Sequence, residues 1–353
     1  MKKQTVLFYG ELPAQAIHGV SISNERVLRV LSEEYELLYL IDKSSFSGSF
    51  VSMLRFFYSV IQLVNMRLSD VHYMYVNAPT SFFGMIKIIL MIKVSLFLSR
   101  KEVKVVAHLH RGDMKFFFNK SFKNAYICKV FCSQLYKLLV LSEGSKKELK
   151  ALNLMAENKV RVLYNSVDVS GFKIPLEVCN FQGPIYSLCN YIKSKGIDRV
   201  VQVANRFPSK RFRFNGESSS AVYFNEVKSI SEYNNCHWGG AISGEDKYKN
   251  IINSKVLIIP SYNEGMPLVI LEAMALGRPV ICYNIGYISE YIGSDYPGIV
   301  QEQSIDALEQ KLEWLFALGR SDYEQLCQLS HDIFWSRFSP RISRESILLE
   351  WCS

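Results

Sequence analysis

The stretch from Val256 to Gly293 constrains the fold of this chain more than any other. It reads VLIIPSYNEGMPLVILEAMALGRPVICYNIGYISEYIG. The apolar runs at its start and at Val280–Tyr283 are typical of strands buried on both faces of a parallel sheet. Pro267 suits the first position of a helix, because its fixed φ fits there and its missing N–H is not needed. Gly277 is placed for a left-handed residue that ends the helix. The stretch therefore predicts strand, loop, helix and strand.

Two carboxylates make this unit a candidate site. Glu264 precedes the helix N-terminus, where unpaired backbone N–H groups create a natural anion site. Glu272 lies on or beside the apolar stripe of the helix, where an unpaired carboxylate would be costly to bury. A ligand hydroxyl pair, such as a ribose, could donate to Glu272 while the helix N-terminus holds a phosphate. The alternative is an ordinary βαβ unit, with Glu264 solvated and Glu272 in a structural ion pair.

These residues also carry a resemblance. Glu264-Gly265-Met266-Pro267, followed by Glu272, Gly277 and Pro279, resembles the Glu-x7-Glu signature of family 4 glycosyltransferases, retaining enzymes of the GT-B fold. The resemblance implies that Glu264 contacts the donor sugar and is catalytic, and that Glu272 binds the nucleotide ribose. It implies further donor contacts at the residues that follow Glu264: Gly265, Met266, Pro267 and Leu268.

The expected fold is α/β, GT-B, with two Rossmann-like domains facing a central cleft. A length of 353 residues favours two domains. We expect an acceptor-binding domain over 1–168, a linker over 169–183 and a nucleotide-sugar-binding domain over 184–330. A helical segment over 331–353 is expected to return toward the first domain, as the resemblance implies.

The first domain contributes two candidate residues. Gly19 lies in the loop after the first strand, which opens onto the ligand site of a doubly wound fold. The resembled family often has a Gly-Gly pair there, and His18 replaces one glycine. His110 ends the fourth predicted strand and matches a histidine that approaches the reacting sugar in that family. We prefer it to His108 because it is nearer the strand end, although a satisfied structural histidine is the alternative.

The second domain shows one departure from the family pattern. Its first loop should supply an Arg and a Lys to the donor diphosphate. Lys195 matches the lysine, whereas Asn190 stands where the arginine is expected. The loss of one cation weakens a diphosphate site by a few kcal/mol, roughly, unless Lys193 substitutes.

Charge is distributed unevenly along the chain. Residues 1–170 contain 23 Lys and Arg against 13 Asp and Glu, whereas the remainder has 18 against 20. The basic residues are interleaved with Phe, Tyr, Leu and Ile. This pattern favours an anionic cytoplasmic membrane leaflet and a lipid pyrophosphate as partners. A solvated basic face is the alternative, and nucleic acid is disfavoured because no recognition motif accompanies the charge.

Other classes of site and location are disfavoured. The eight cysteines form no C-x-x-C pair and are interpreted as reduced thiols. No Asp-x-Asp sequence occurs, and the His108-x-His110 pair lacks further ligand-spaced partners, so we expect no metal site and no cofactor beyond a co-substrate. The N-terminal apolar run is too short for a signal peptide, and lysines interrupt the most apolar segment. The protein is expected to be cytoplasmic and peripheral to the inner face of the plasma membrane.

Taken with the resemblance, these features indicate a retaining, metal-independent glycosyltransferase. It would move a sugar from a UDP- or GDP-type nucleotide sugar to a lipid-linked saccharide acceptor. The products implied are bacterial surface polysaccharides: capsule, O-antigen of lipopolysaccharide, or exopolysaccharide. Two alternatives remain: a catalytically silent, glycosyltransferase-like membrane scaffold, for which Asn190 argues, and a sugar-nucleotide epimerase or phosphorylase with the same fold.

Overall fold

A computed structural model describes residues 3–14, 18–42, 49–172 and 180–352. The chain divides into two compact units, residues 1–165 with 343–353, and residues 166–342. Each unit contains a six-stranded sheet in which all strand pairs are parallel. Seven of the fifteen residues expected to link two domains, 173–179, lie outside the described part of the chain.

The first unit has strand order β2-β1-β3-β4-β5-β6. Successive apolar residues of β1 alternate between two buried clusters, since neighbouring side chains of a strand point to opposite faces. The strands are β1 Thr5–Gly10, β2 Glu36–Ile41, β3 Val71–Asn77, β4 Lys104–Leu109, β5 Lys137–Val140 and β6 Val160–Val162. The helices are α1 Gly19–Glu34, α2 Ser49–Asn65, α3 Phe82–Leu98, α4 Met114–Asn119, α5 Phe122–Cys132 and α6 Glu143–Ala151.

The second unit has strand order β12-β11-β10-β7-β8-β9. Its strands are β7 Ile185–Leu188, β8 Phe212–Asn215, β9 Cys236–Gly239, β10 Val256–Ile259, β11 Val280–Tyr283 and β12 Ile299–Val300. Its helices are α7 Ile197–Asn205, α8 Ala221–Ser229, α9 Gly244–Ile252, α10 Leu268–Ala275, α11 Ile288–Ile292, α12 Ile305–Ala317 and α13 Arg320–Arg337. The predicted strand, loop, helix and strand are β10, α10 and β11.

Two details of α10 can be compared with the sequence-based prediction. Gly277 has φ +65°, which confirms the left-handed residue expected after the helix. Pro267 was expected at the first helical position, but it is the residue before the helix, with extended backbone at φ −69° and ψ 125°. Its fixed φ is compatible with either position, so the helix begins one residue later than predicted.

The last helix, α14 Pro340–Cys352, follows the second unit in sequence, but its residues from Ser343 onward belong to the first unit. Trp351 is 3% exposed and its ring lies 5.6–6.2 Å from those of Tyr35, Tyr73 and Tyr75. Lys137 Nζ donates to the backbone carbonyl of Glu350 at 2.6 Å. The helix therefore completes one of the two buried clusters of the first unit. Within the described residues, no helix is long and apolar enough to cross a membrane.

Candidate functional site

The strand order of the second unit locates its ligand site. Counted in chain order, β7 to β12 form the order 3-2-1-4-5-6, in which the direction of winding reverses between β7 and β10. Open α/β sheets bind ligands at this point, outside the carboxyl ends of the strands. The loop after β7 carries Asn190 and Lys195, and the loop after β10 carries Glu264 to Pro267. The predicted donor residues of these two loops therefore lie on both sides of the switch point.

Lys195 and Glu264 are in direct contact. Lys195 Nζ donates to Glu264 Oε1 at 2.7 Å, and the two side chains are 27% and 9% exposed. The two loops are also joined through their backbones, because Tyr262 N donates to Ser194 O at 2.9 Å. Glu264 is buried at the second unit's switch point, which excludes the alternative of a solvated carboxylate.

One hydrogen bond and two close approaches at glycines fix the backbone of these loops. Tyr291 Oη donates to the Gly265 carbonyl at 3.0 Å. Gly286 has φ +54°, and a Cβ there would lie 2.5 Å from the Glu264 carbonyl oxygen. Gly196 has φ +68°, and its Cβ would lie 2.2 Å from the Pro260 carbonyl oxygen. Both glycines are required by a left-handed backbone and by the close approach of another chain segment.

Glu272 lies inside α10 and is 4% exposed. Lys247 Nζ on α9 donates to its Oε1 at 2.5 Å, with the lysine side chain 16% exposed. Burial raises the pKa of Glu272 above its usual value, and the adjacent Lys247 opposes this rise. The ion pair that was the structural alternative for Glu272 is therefore present. Sequence reasoning did not assign Lys247 a role in the site, because no spacing rule joins residues 25 positions apart on two helices.

Asn190 is exposed and lies two residues after the end of β7. A second residue that sequence reasoning missed lies near the same edge. The Arg199 guanidinium on α7 stacks over the rings of Tyr262 and Tyr283, at 4.8 and 5.6 Å from their centroids. It also donates to the hydroxyl of Tyr262, to that of Tyr283 at 3.1 Å and to the carbonyl of Gln303. Through these contacts the Arg199 guanidinium stabilises the loop after β10. Arg199 is therefore not available to replace the arginine that the family pattern places at position 190.

The first unit places Gly19 at the N-terminus of α1. The preceding residue, His18, caps the helix through Nδ1, and its Nε2 lies 2.8 Å from Glu11 Oε2. Three residues of the predicted ligand loop, 15–17, lie outside the described residues. Gly19 is exposed, as a glycine that lets a ligand approach the helix N-terminus would be.

His110 follows β4, and its ring centroid lies 3.9 Å from that of His108, so the two share one side of the strand as predicted. Among the described residues, its Nε2 is buried without a hydrogen-bond partner. Burial, together with the positive charge of Arg26, lowers the pKa of His110 to about 3. His110 is therefore neutral at physiological pH, and it can donate or accept one hydrogen bond.

A buried arginine acts electrostatically on both histidines. Arg26 on α1 is 9% exposed, and its Nη2 donates to the Tyr164 carbonyl at 3.2 Å. Burial lowers the pKa of Arg26 to about 10. The Tyr75 hydroxyl lies 2.9 Å from His108 Nδ1. His108 lies within β4 and contacts Tyr75, whereas His110 follows the strand end; among the described residues the Nε2 of each is buried without a hydrogen-bond partner.

The candidate residues therefore form two groups. Gly19 and His110 belong to the first unit, and the other eight belong to the second. Within the second unit Lys195 and Glu264 are brought together, whereas Glu272 is paired with Lys247 instead. Among the described residues there is no group of three His, Cys, Asp or Glu side chains that could hold a metal ion.

Comparison with known proteins gives a consistent result. Residues 185–328 match the family model described as Glycosyl transferases group 1. The chain is 34% identical over 76 residues to a putative teichuronic acid biosynthesis glycosyltransferase, TuaC, of Bacillus subtilis strain 168, covering 22% of this chain and 18% of that protein. It is 24% identical over 205 residues to the capsular polysaccharide biosynthesis glycosyltransferase CapM of Staphylococcus aureus, covering 53% of each. The matched segments thus span about half or less of the length of these relatives.

Solved structures extend the likeness to the whole chain. The crystal structure of Anabaena Alr3699/HepE in complex with UDP and glucose superposes with a TM-score of 0.75 at 12% identity, covering 99% of both chains. At this level of identity the likeness establishes the fold. Residues 185–328 therefore match the Glycosyl transferases group 1 model, in a chain whose two Rossmann-like units have the GT-B fold.

Proposed function

We propose that this protein is a retaining glycosyltransferase that moves a sugar from a nucleotide-sugar donor to a lipid-linked saccharide acceptor in bacterial surface polysaccharide synthesis. One observation carries the proposal: the contact between Lys195 and Glu264 at the switch point of the matched domain. The relatives named for teichuronic acid and capsular polysaccharide synthesis support the product class. The UDP complex of the structural neighbour supports a nucleotide-sugar donor of the UDP or GDP type.

The geometry suits a diphosphate leaving group. Cleavage of a sugar–phosphate bond develops negative charge on the diphosphate, which preorganised cations and N–H groups stabilise. Lys195 and the start of α10 at Leu268 can supply both without a metal ion. A diphosphate at Lys195 would compete with the Glu264 carboxylate for its ammonium group. Glu264 could then accept hydrogen bonds from hydroxyls of the donor sugar, as the Glu-x7-Glu resemblance implies.

The first unit would hold the acceptor. His110 is neutral and half-buried, with a buried, unpartnered Nε2, so it can hydrogen-bond a sugar hydroxyl without bringing a charge. The basic composition of residues 1–170 fits a lipid pyrophosphate and the anionic inner leaflet of the plasma membrane. The proposed location is therefore the cytoplasmic face of that membrane, in peripheral association.

Thermal stability against UDP, GDP, CMP and their sugar conjugates tests the donor site. A ligand at a hundred times its dissociation constant stabilises by about 2.7 kcal/mol, which is a shift of several degrees. Lys195→Met should abolish the shift, whereas Lys249→Met is the control. Lys249 is exposed on α9, where it pairs with Glu245, and its loss should leave the shift intact.

Catalysis is tested separately from binding. Glu264→Gln should retain the nucleotide-induced shift but lose transfer to a membrane-extracted lipid acceptor, because its carboxylate contacts the sugar rather than the nucleotide. The second candidate is a silent membrane scaffold, which the exposed Asn190 in the arginine position favours. Failure of every nucleotide at millimolar concentration to shift the melting temperature would support the scaffold and refute the transferase.

A further inference from the structure

Helix α2 carries apolar side chains on the face that a surface helix normally gives to polar ones. Its inner face packs on the sheet through Phe56, Val60 and Leu63. Ser59 is also buried, and its hydroxyl donates to the Arg55 carbonyl. The outer face should be polar if water covered it. It instead presents eight large apolar residues, each 45–66% exposed: Phe50, Val51, Met53, Leu54, Phe57, Tyr58, Ile61 and Val64.

The neighbouring helices extend this surface. α2 packs beside α3, α3 beside α5, and α5 beside α4. Phe83 and Phe97 of α3 are 82% and 87% exposed, and Phe122 of α5 is 85% exposed. Among the described residues, fifteen of the twenty-one exposed large apolar side chains lie on α2–α5. A contiguous apolar patch of this kind marks an interaction surface on a water-soluble protein.

The charge of the same four helices is of one sign. None of them contains an Asp or a Glu. Exposed lysines lie among the aromatic residues, including Lys93 on α3 and Lys123 and Lys129 on α5. Apolar side chains flanked by cations are the combination that inserts into the headgroup region of an anionic bilayer.

The charge of this surface also favours a bilayer over a second copy of the chain as its partner. In a symmetric dimer the patch would face itself, so the lysines of each copy would approach those of the other. No acidic residue on α2–α5 could compensate them. An anionic leaflet supplies the complementary charge and accepts the exposed aromatic rings at the same time.

We propose that α2, with the exposed ends of α3, α4 and α5, is a membrane-docking surface that inserts its apolar side chains into an anionic leaflet. This inference rests on the proposed function, which supplies the lipid-linked acceptor. The docking surface would be the part of the first unit that reaches that acceptor at the membrane. Electrostatic attraction would bring the surface to the leaflet, and apolar insertion would hold it there.

Co-sedimentation with vesicles tests this surface. Wild type should sediment with vesicles of phosphatidylcholine containing phosphatidylglycerol, but not with phosphatidylcholine alone, and added salt should weaken binding. Phe57→Glu with Ile61→Glu should lower the partition coefficient by about 30-fold or more, because two insertions are lost and negative charge is added. The matched control is Val222→Glu with Leu349→Glu, exposed apolar positions on α8 and α14 that should leave binding unchanged.

Three results would overturn the proposal. Wild type could stay in the supernatant with anionic vesicles, or the Phe57/Ile61 variant could bind as well as wild type. Sedimentation velocity could also show a dimer that this variant dissociates without any vesicle binding, which would assign the surface to a second copy. Circular dichroism and the nucleotide-induced thermal shift, measured on the same variants, keep this test separate from the proposed donor binding, because α2 is not part of the second unit.

Discussion

The ion pair between Lys247 and Glu272 predicts a specific response to Lys247→Met. Methionine keeps most of the apolar stem of the side chain but leaves the carboxylate of Glu272 without its cation. Removing one partner of a buried pair costs about 3–5 kcal/mol, whereas removing both can be nearly neutral. Lys247 keeps 16% of its side-chain exposure, so we expect about 3 kcal/mol at pH 8.

The pH dependence of this loss has a definite sign. Burial already holds the pKa of Glu272 above its usual value, and the loss of Lys247 raises it further. Between the unfolded pKa, about 4.3, and the folded pKa, the folded state binds a proton that the unfolded state does not. The free energy of unfolding of the variant should therefore rise as the pH falls from 8 toward 5. Its deficit relative to wild type should shrink over the same range.

Urea unfolding followed by circular dichroism measures this effect. Lys249→Met is the matched control, because Lys249 lies on the same helix in an exposed pair with Glu245, with side chains 58% and 62% exposed, and its substitution should cost far less stability. Adding Glu272→Gln to Lys247→Met should restore about 2 kcal/mol. The reasoning is refuted if Lys247→Met costs no more than Lys249→Met at pH 8, or if the double variant is no more stable than Lys247→Met.

Three further predictions concern other parts of the two units. Gly286→Ala should lower stability by about 1–3 kcal/mol and weaken the proposed donor binding, since its Cβ would displace the Glu264 backbone; Gly240→Ala, which has open space, is the control in the same thermal assay. The free energy of unfolding should fall as the pH drops from 7 to 5, because the unfolded His110 takes up a proton that the folded one excludes. His110→Asn should reduce this slope by up to about 1.4 kcal/mol per pH unit, and an unchanged slope in urea titrations would contradict this. Trp351→Ala should cost about 3–5 kcal/mol, measured by urea unfolding, and a loss below 1 kcal/mol would show that α14 does not complete the first core.

The sequence predicted the second unit well because local signals agree there. Apolar runs marked β10 and β11, and Gly277 marked the end of α10. The left-handed φ of Gly277 confirmed the expected cap. Within the stretch from Val256 to Gly293, the exact start of α10 differed, because proline is compatible with both the cap and the first helical position.

Long-range partners were not predictable from the sequence. Lys247 meets Glu272, and Arg199 meets Tyr262 and Tyr283, through the packing of helices and loops that no spacing rule specifies. The outer face of α2 was missed for a different reason. Its apolar residues extend over its outer face as well as its inner one, and a sequence alone cannot distinguish such a helix from a more fully buried one. Only exposure in the folded unit shows that one apolar face is uncovered.

The position of α14 has a consequence for how the chain is made. The second unit is continuous in sequence, from residue 166 to 342, so a ribosome delivers all of it before the last helix. The first unit, although synthesised first, must wait for α14 to bring Trp351 to the three tyrosines near its sheet. Until then those rings stay uncovered, so the core of the first unit is completed only after the second unit has been synthesised. A fragment that ends at residue 165 should therefore refold poorly, and adding α14 as a separate peptide should restore its refolding.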